Sequence, residues 1–490
     1  MITKAYIRSF CCYFLLNILS GMSAAERSPN ILMINVNDTN DFVGFLDSQY
    51  SDQSRTPHMD KLAKKGVNFT NAHCATPSCT PSRHALFYGV QPFNSGLYRY
   101  NFNIYEAMDT VKERYPNFVS LNQTLRTADY TTYGLGHVHG NLDNLIEAYH
   151  DIEWDVFHTV KYAKLSVVPE YDLQIKGKKT WKCGPSATPE EDYDAYRYAT
   201  KAMEVLEEDH DKPFFLAVGF GEAHTPTIPP QKYFDLFDDF EMKPIIEDDF
   251  DDIPEVGWKL AKEGSDHKQI SEVGQWEVLI RSYLATLSFV DAQVGRVLSA
   301  LEESEYRDDT IVILWSDHGN NYGRKHKLAK FTLWDASTRV PFVIWDPRNP
   351  DRTGACRESV SLVDIYPTVL EMIGEPAIDH LDGVSLTPWL DNVDLPRDTP
   401  AITMMGRGNY GIRDRDWRYI RYLDGSEELY HTRIDQDEVR NLVADPRYAA
   451  VVDRLAAFVP ANEAPMNKIG LEKMKFYDAD LAEEEGRETL

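Results

Sequence analysis

The sequence predicts an α/β protein, a mixed sheet flanked by helices, with a smaller C-terminal antiparallel-sheet subdomain. Three observations carry that prediction. Short apolar runs bounded by polar residues alternate with longer amphipathic segments. The strand-like runs end in polar clusters, and ligands bind at such strand ends in open parallel sheets. Near residue 395 the rhythm changes to shorter alternating segments with a turn between them.

Taken in order, residues 1–25 read as a signal peptide. Lys4 and Arg8 form its positive region, Phe10 to Leu19 its apolar core, and Ser23-Ala24-Ala25 a small-residue cleavage site. The apolar run is shorter than the ~20 residues a bilayer span needs. The expectation is therefore a secreted, periplasmic or extracellular protein without a transmembrane anchor. Residues 26–395 form the main domain. In it Ile31–Val36, Phe214–Val218 and Ile311–Trp315 are short, mainly apolar runs, as strands covered on both faces are. Ala195 to Leu206 and Val278 to Leu301 have apolar positions at helical spacing. Asp238 to Glu255 is dense in acids and broken by Pro244 and Pro254, which reads as a solvated loop. In the C-terminal subdomain and tail, residues 396–490, Trp417–Tyr422 and Glu428–Tyr430 flank the turn Asp424-Gly425 and pair antiparallel. From Met466 the chain is charged and peripheral.

Composition narrows the function classes. Hydrophobic residues at 43% and aromatics at 12% exclude disorder for the bulk of the chain. Lys and Arg number 51 against 78 Asp and Glu, a formal charge of −27, which argues against nucleic acid as a partner. A polyanionic substrate would have to be attracted locally, by a metal and clustered cations. With the signal peptide removed, Cys74, Cys79, Cys183 and Cys356 remain and imply no complete disulfide framework.

Three polar clusters follow the three strand-like runs: Asn37-Asp38, Gly221 to His224, and Asp317-His318. Oxygen ligands gathered from separate loops suit a hard divalent cation, so Asn37, Asp38, Asp317 and His318 are candidate metal ligands. Such an ion would neutralise an oxyanion and polarise the atom under attack. The run Cys79-Thr-Pro-Ser-Arg-His-Ala-Leu-Phe-Tyr-Gly89 places Pro81 at a helix start. The helix N-terminus beside Cys79 would favour an anion there.

Cys79-x-Pro81-x-Arg83 resembles the active-site signature of type I sulfatases. Further similar stretches, over roughly residues 28–450, are Tyr130–His139, Gly219–Pro226, His326–Pro341, Val363–Thr368, Leu381–Leu386, and Glu428–Tyr430 with Asn441-Leu442. They look like bacterial iduronate-2-sulfatase-like members of the alkaline phosphatase superfamily. The resemblance implies an alkaline-phosphatase-like core, and a Cys79 oxidised to Cα-formylglycine by a formylglycine-generating or anaerobic sulfatase-maturing enzyme. It implies hydrolysis of a sulfate ester, on a sulfated saccharide, by the hydrated aldehyde. Calcium (Ca2+), in preference to magnesium, would be bound with residue 79 among its ligands. Arg83 would stabilise developing charge, His139 would take the proton that expels sulfate, and His224 would protonate the leaving oxygen. Lys330 would hold the bridging oxygen, and His137 and His326 would bind substrate. A lone lysine is ordinarily a solvated surface group, so Lys330 enters through the resemblance alone.

This chain departs from the family pattern at three places. Asn37 replaces an aspartate, which implies weaker metal affinity. His137 replaces a lysine, which implies an acidic or near-neutral optimum with affinity lost at alkaline pH. Glu222 stands where relatives are often basic, which implies a changed substrate preference. Two other functions fit the same residues: a phosphonate or phosphate ester hydrolase, and a degenerate protein that binds sulfated glycans without turnover.

Overall fold

The first strand, β1 (Asn30–Val36), is buried along its whole length, as an apolar run between two helical layers must be. It is the spine of an eight-stranded sheet in the computed structural model, which describes residues 28–98, 111–139, 152–160, 165–168, 182–246, 251–261 and 265–465. The remaining strands follow as β2 (Val67–Phe69), β3 (Ala72–His73), β4 (Thr131–Gly136), β5 (Val156–His158), β6 (Phe214–Phe220) and β7 (Thr310–Trp315). After these come β8 (Arg339–Val340), β9 (Phe342–Trp345), β10 (Gly354–Cys356) and β11 (Val360–Ser361). A last group comprises β12 (Ala401–Met404), β13 (Tyr410–Arg413), β14 (Arg418–Arg421) and β15 (Glu427–Tyr430).

The main sheet runs β10-β2-β9-β7-β1-β6-β4-β5. Only β9 is antiparallel to its neighbours; the other pairs are parallel. Met33 lies opposite Ala217 on β6 and Ile313 on β7. In this register the C-terminal ends of β1, β4, β6 and β7 emerge along one edge. The residues following them are Asn37, His137, Gly221 and Ser316.

Side-chain alternation divides the core. Ile31 and Met33 face one layer with Phe87 and Tyr88 of α2 (Cys79–Tyr88) and Ile365 of α5 (Ile365–Ile373). Leu32 and Ile34 face the other, built from α1 (Pro57–Lys65), α3 (Asp194–Glu207) and α4 (Trp276–Glu303). By length and composition α4 could cross a membrane, but 72% of its most apolar window is buried in the protein, so it is a core helix. Gly89 ends α2 at φ +64, and a Cβ there would meet Leu381 Cδ2 at 2.5 Å, so only glycine fits that stop.

The strands β12 to β15 form a separate four-stranded antiparallel sheet, with Gly425 at φ +79 in the β14–β15 turn. A three-stranded sheet, β11-β3-β8, lies beside them. Buried charge locks the four-stranded sheet to the main domain. Arg418 on β14 donates to Asp335 Oδ1 at 3.0 Å and to the Leu333 carbonyl at 2.7 Å, and pairs with Glu438 at 2.7 Å. Glu428 on β15 accepts from Trp334 Nε1 at 2.8 Å. Cys74, Cys79, Cys183 and Cys356 are free and buried. The expected signal peptide and the charged tail from Met466 lie outside the described residues.

Candidate active site

Helix α2 begins at Cys79, with Ser78 in extended conformation before it. Cys79 Sγ lies 3.1 Å from Lys330 Nζ, 3.2 Å from His318 Nε2 and 3.8 Å from Asp38 Oδ1. Burial pushes the thiol up to about 12, Lys330 working against it and Asp38 with it. An unmodified thiol there stays protonated at neutral pH and is a poor nucleophile.

Adjacent strands supply the acidic centre. β1 ends in Asn37-Asp38 and β7 leads into Asp317-His318. Asp38, Cys79, Asp317 and His318 each present a ligand atom within 4.8 Å of the others. Asp38 adopts φ +54, uncommon for a non-glycine residue, and its backbone N–H donates to Asp317 Oδ1 at 3.0 Å. Burial works to raise its carboxyl pKa, but Lys330, His318 and His224 outweigh that and hold it far below the usual range. Lys330 Nζ lies 3.0 and 2.9 Å from the two Asp38 oxygens, and burial is outweighed by Asp38 and Cys79 in keeping it charged. Arg83 pairs with Asp317 at 3.0 Å and donates to the Asn37 amide oxygen.

The donor set fits a hard divalent cation: two buried carboxylates, an imidazole nitrogen, and the Asn37 amide oxygen alongside, which Arg83 already engages. The buried hydroxyls of Ser78 and Thr80, flanking residue 79, have no hydrogen-bond partner among the described residues. Polar atoms left so suit an oxyanion or its waters.

The histidines divide. His137 follows β4, its backbone N–H donating to the Gly219 carbonyl at 3.0 Å. Its ring covers Gly221, where a Cβ would come within 2.4 Å of Cδ2. Arg83, His224, Asp317 and Asp38 all act on it electrostatically. Burial, helped by Arg83 and His224, pushes His137 down to about 3. That corrects the expectation of a histidine charged at mildly acidic pH: here it is neutral, and no pH optimum follows from its titration. His224 also faces the cluster. Its Nδ1–H donates to the Thr225 carbonyl at 2.6 Å, so Nε2 carries a transferable proton in the imidazolium form alone. Asp38 pulls its pKa up, yet burial and Lys330 bring it below the ordinary value.

The structure does not bring His139 to the cluster. Its ring packs on Phe87 and Trp154, and Nε2 accepts from Trp154 Nε1 at 3.0 Å. Aromatic packing and a buried indole N–H turn it into the core, so the proton-accepting role expected of it is corrected. His326 is also placed elsewhere, stacked on His267 with Nε2 at 2.9 Å from the Ile246 carbonyl. Glu222 caps a helix: its Oε1 accepts from the Ala195 N–H at 2.6 Å in the first turn of α3.

Sequence reasoning missed the residues behind the cluster. Tyr283 of α4 donates from its hydroxyl to the Asp38 carbonyl at 2.9 Å, and Asn320 Nδ2 donates to the same oxygen at 3.0 Å. Nothing marks Tyr283 within an apolar helix. Asn320, two residues beyond His318, was findable by proximity.

Comparison with known proteins agrees with this geometry. The family profile described as Sulfatase matches residues 29–375, and one described as N-sulphoglucosamine sulphohydrolase, C-terminal, matches residues 323–463. A sulfatase of Formosa agariphila is 33% identical over 456 residues, covering 89% of this chain and 87% of that protein. The phosphonate monoester hydrolase of Agrobacterium radiobacter superposes with a TM-score of 0.69 at 22% identity, covering 88% of this chain and 94% of that one. A protein solved with its substrate D-glucosamine-2-N,6-O-disulfate superposes with a TM-score of 0.67 at 21% identity, covering 88% and 96%. At those identities the two structures speak for the fold alone.

Proposed function

The chain belongs to the sulfatase family and is a sulfuric ester hydrolase, and on that premise we propose that it desulfates a saccharide using a formylglycine at position 79. The observation that carries the reading is the convergence of Lys330, His318 and Asp38 on Cys79, whose own thiol is held protonated. As the aldehyde hydrate, residue 79 would supply one hydroxyl to attack sulfur and a second whose deprotonation expels sulfate. A bound divalent cation, assigned as Ca2+ on Asn37, Asp38, residue 79, Asp317 and His318, would neutralise the sulfate oxygens.

The chain's own groups do the rest. Lys330 holds the bridging oxygen and offsets its charge as the sulfur–oxygen bond breaks. His224, as the imidazolium, would deliver the Nε2 proton to the leaving oxygen and keep its Nδ1–H on the Thr225 carbonyl. His137, a substrate-binding residue in this reading, stays neutral in its buried position and would offer the sulfate hydrogen bonding without charge. Arg83 holds Asp317 and Asn37 in place. The saccharide as substrate is supported by a sequence relative named an ulvan-active sulfatase, from Formosa agariphila, 26% identical over 424 residues. The signal-like first 25 residues support secretion to the periplasm or cell exterior, where such polymers are met.

The test pairs two measurements on protein made with a formylglycine-generating or anaerobic sulfatase-maturing enzyme. The mass of the peptide containing residue 79 should show aldehyde in place of thiol, and sulfate should be released from sulfated sugars faster than matched phosphate diesters are cleaved to monoester and alcohol. Faster phosphate or phosphonate cleavage would instead place the chain with the hydrolase of Agrobacterium radiobacter in activity as well as fold. An intact thiol, with a control sulfatase matured in the same cells, would mark a glycan binder without turnover.

A further inference from the structure

Among the described residues, an exception to the chain's acidic character lies away from the nucleophile. A cavity of about 470 Å3 opens where the ends of β2 and β10 meet the four-stranded sheet, within the roughly 300–1,000 Å3 of small-ligand pockets. Five arginines line it: Arg339, Arg357, Arg413, Arg415 and Arg433. In a chain of formal charge −27, such a concentration makes a local positive field.

The acids in the same wall do not account for all five. Asp335 is taken by Arg418 at 3.0 Å and approached by Arg413 at 3.4 Å. Arg415 pairs with Glu358 at 3.0 Å, and Arg339 donates to the Thr70 carbonyl at 2.9 Å. Asp47 accepts from Gln436 at 3.1 Å, and Asp416 also faces the cavity. Arg357 and Arg433 are exposed at the cavity and form no ion pair or side-chain hydrogen bond among the described residues.

We propose that this cavity is an oxyanion-binding site, taking a sulfate or carboxylate group through Arg357 and Arg433 with Arg413 behind them. Planar guanidinium forks match both groups in bidentate geometry. The cavity shares a wall with the catalytic loop: Phe45 and Asp47 line it, and Arg339 pairs at 3.7 Å with Asp41, three residues beyond Asp38. A second acidic group on a saccharide is the carrier this position favours, and that part rests on the proposed substrate class. A free inorganic anion is the other source of the same chemistry.

Calorimetry on the full matured chain separates these. The probes are sodium sulfate, a multiply sulfated hexasaccharide and its desulfated form. Arg357→Ala/Arg433→Ala should weaken hexasaccharide binding at least tenfold while kcat/KM for a small aryl sulfate stays within twofold of wild type. A charge-matched control away from the cavity, Arg421→Ala/Arg440→Ala, should leave binding within twofold. Loss of sulfate binding alone assigns the site to a free anion, and loss of hexasaccharide binding assigns it to a saccharide-borne group. Unchanged binding of both probes, or equal weakening in the control pair, overturns the site. Because binding is read directly, an absence of turnover would count against the sulfate-ester reading and not against this one.

Discussion

Replacing His139 by phenylalanine separates packing from proton transfer. The ring centroids of Phe87 and Trp154 lie 4.8 and 5.5 Å from that of His139, and a phenyl group fills the same space. What disappears is the acceptor for Trp154 Nε1–H, at 3.0 Å. Asn122, the other neighbour of Nε2, keeps Glu153 Oε2 at 3.2 Å, whereas the buried indole N–H loses its acceptor. An unpaired buried donor costs about 1–3 kcal/mol, so the variant should lose ~2 kcal/mol of stability, read as a lower urea midpoint at unchanged slope. Chemistry should be spared. Phe87, which His139 packs on, lies eight positions beyond Cys79 in α2, about 12 Å along the helix axis at 1.5 Å per residue. kcat/KM for an aryl sulfate should stay within about threefold of wild type. A fall of about 100-fold, or ~2.7 kcal/mol in the barrier, with the urea midpoint unmoved would refute the reasoning and restore His139 as the base.

His224→Ala should slow sugar sulfates by ~10²-fold, because an alkoxide needs its proton, and a nitrophenyl sulfate far less. Equal losses in a leaving-group series would remove His224 from the acid role. Lys330→Met should lower kcat/KM by about 10²–10³, the scale of losing one preorganised charge donor. It should also weaken product inhibition by sulfate, and a loss smaller than about tenfold in steady-state assays would displace Lys330 from the reacting oxygen. Asp291, buried in α4 and accepting from the His58 and Met59 N–H groups at 3.1 and 2.8 Å, is raised by burial to about 7. Folded, it holds its proton more tightly than unfolded, so its contribution is fully present below pH ~4 and is lost as pH rises to about 7. The whole span is on the order of 4 kcal/mol. Asp291→Asn should flatten the fall in urea midpoint between pH 5 and 7.5, and an unchanged slope would show that Asp291 ionises normally.

What could be read from residues alone was the frame and the strand ends. Ile31–Val36, Phe214–Val218 and Ile311–Trp315 announce buried parallel strands because they are apolar but for Asn35, and the observed strands extend them by at most two residues. Asn37-Asp38 and Asp317-His318 follow from the same reading, since a short parallel strand has one direction and its exit is known. Orientation was less legible. His137 and His139 stand two positions apart in one motif, yet one ring covers Gly221 and the other enters the aromatic core. That choice depends on Trp154 and Phe87, which no local pattern connects to them. Glu222 sits among site residues in sequence and serves a helix terminus in space. Arg418 carries no local mark of a buried charge, and its partners Asp335 and Thr338 lie 80 or more positions earlier in the chain.

The contacts of Arg418 and Glu428 bear on how such an enzyme can be recombined. Trp334 and Asp335, which they grip, lie a few residues past Lys330. The four-stranded sheet is thus a clamp on the segment that delivers the catalytic cation. A cut near residue 395 would sever the chain where it is exposed and still disarm the site. A chimera that borrows this sheet from a relative has to borrow the segment from Gly323 to Thr338 with it. In such a lineage the two would be inherited as one block, and substitutions at Asp335 and Arg418 would be tolerated only together.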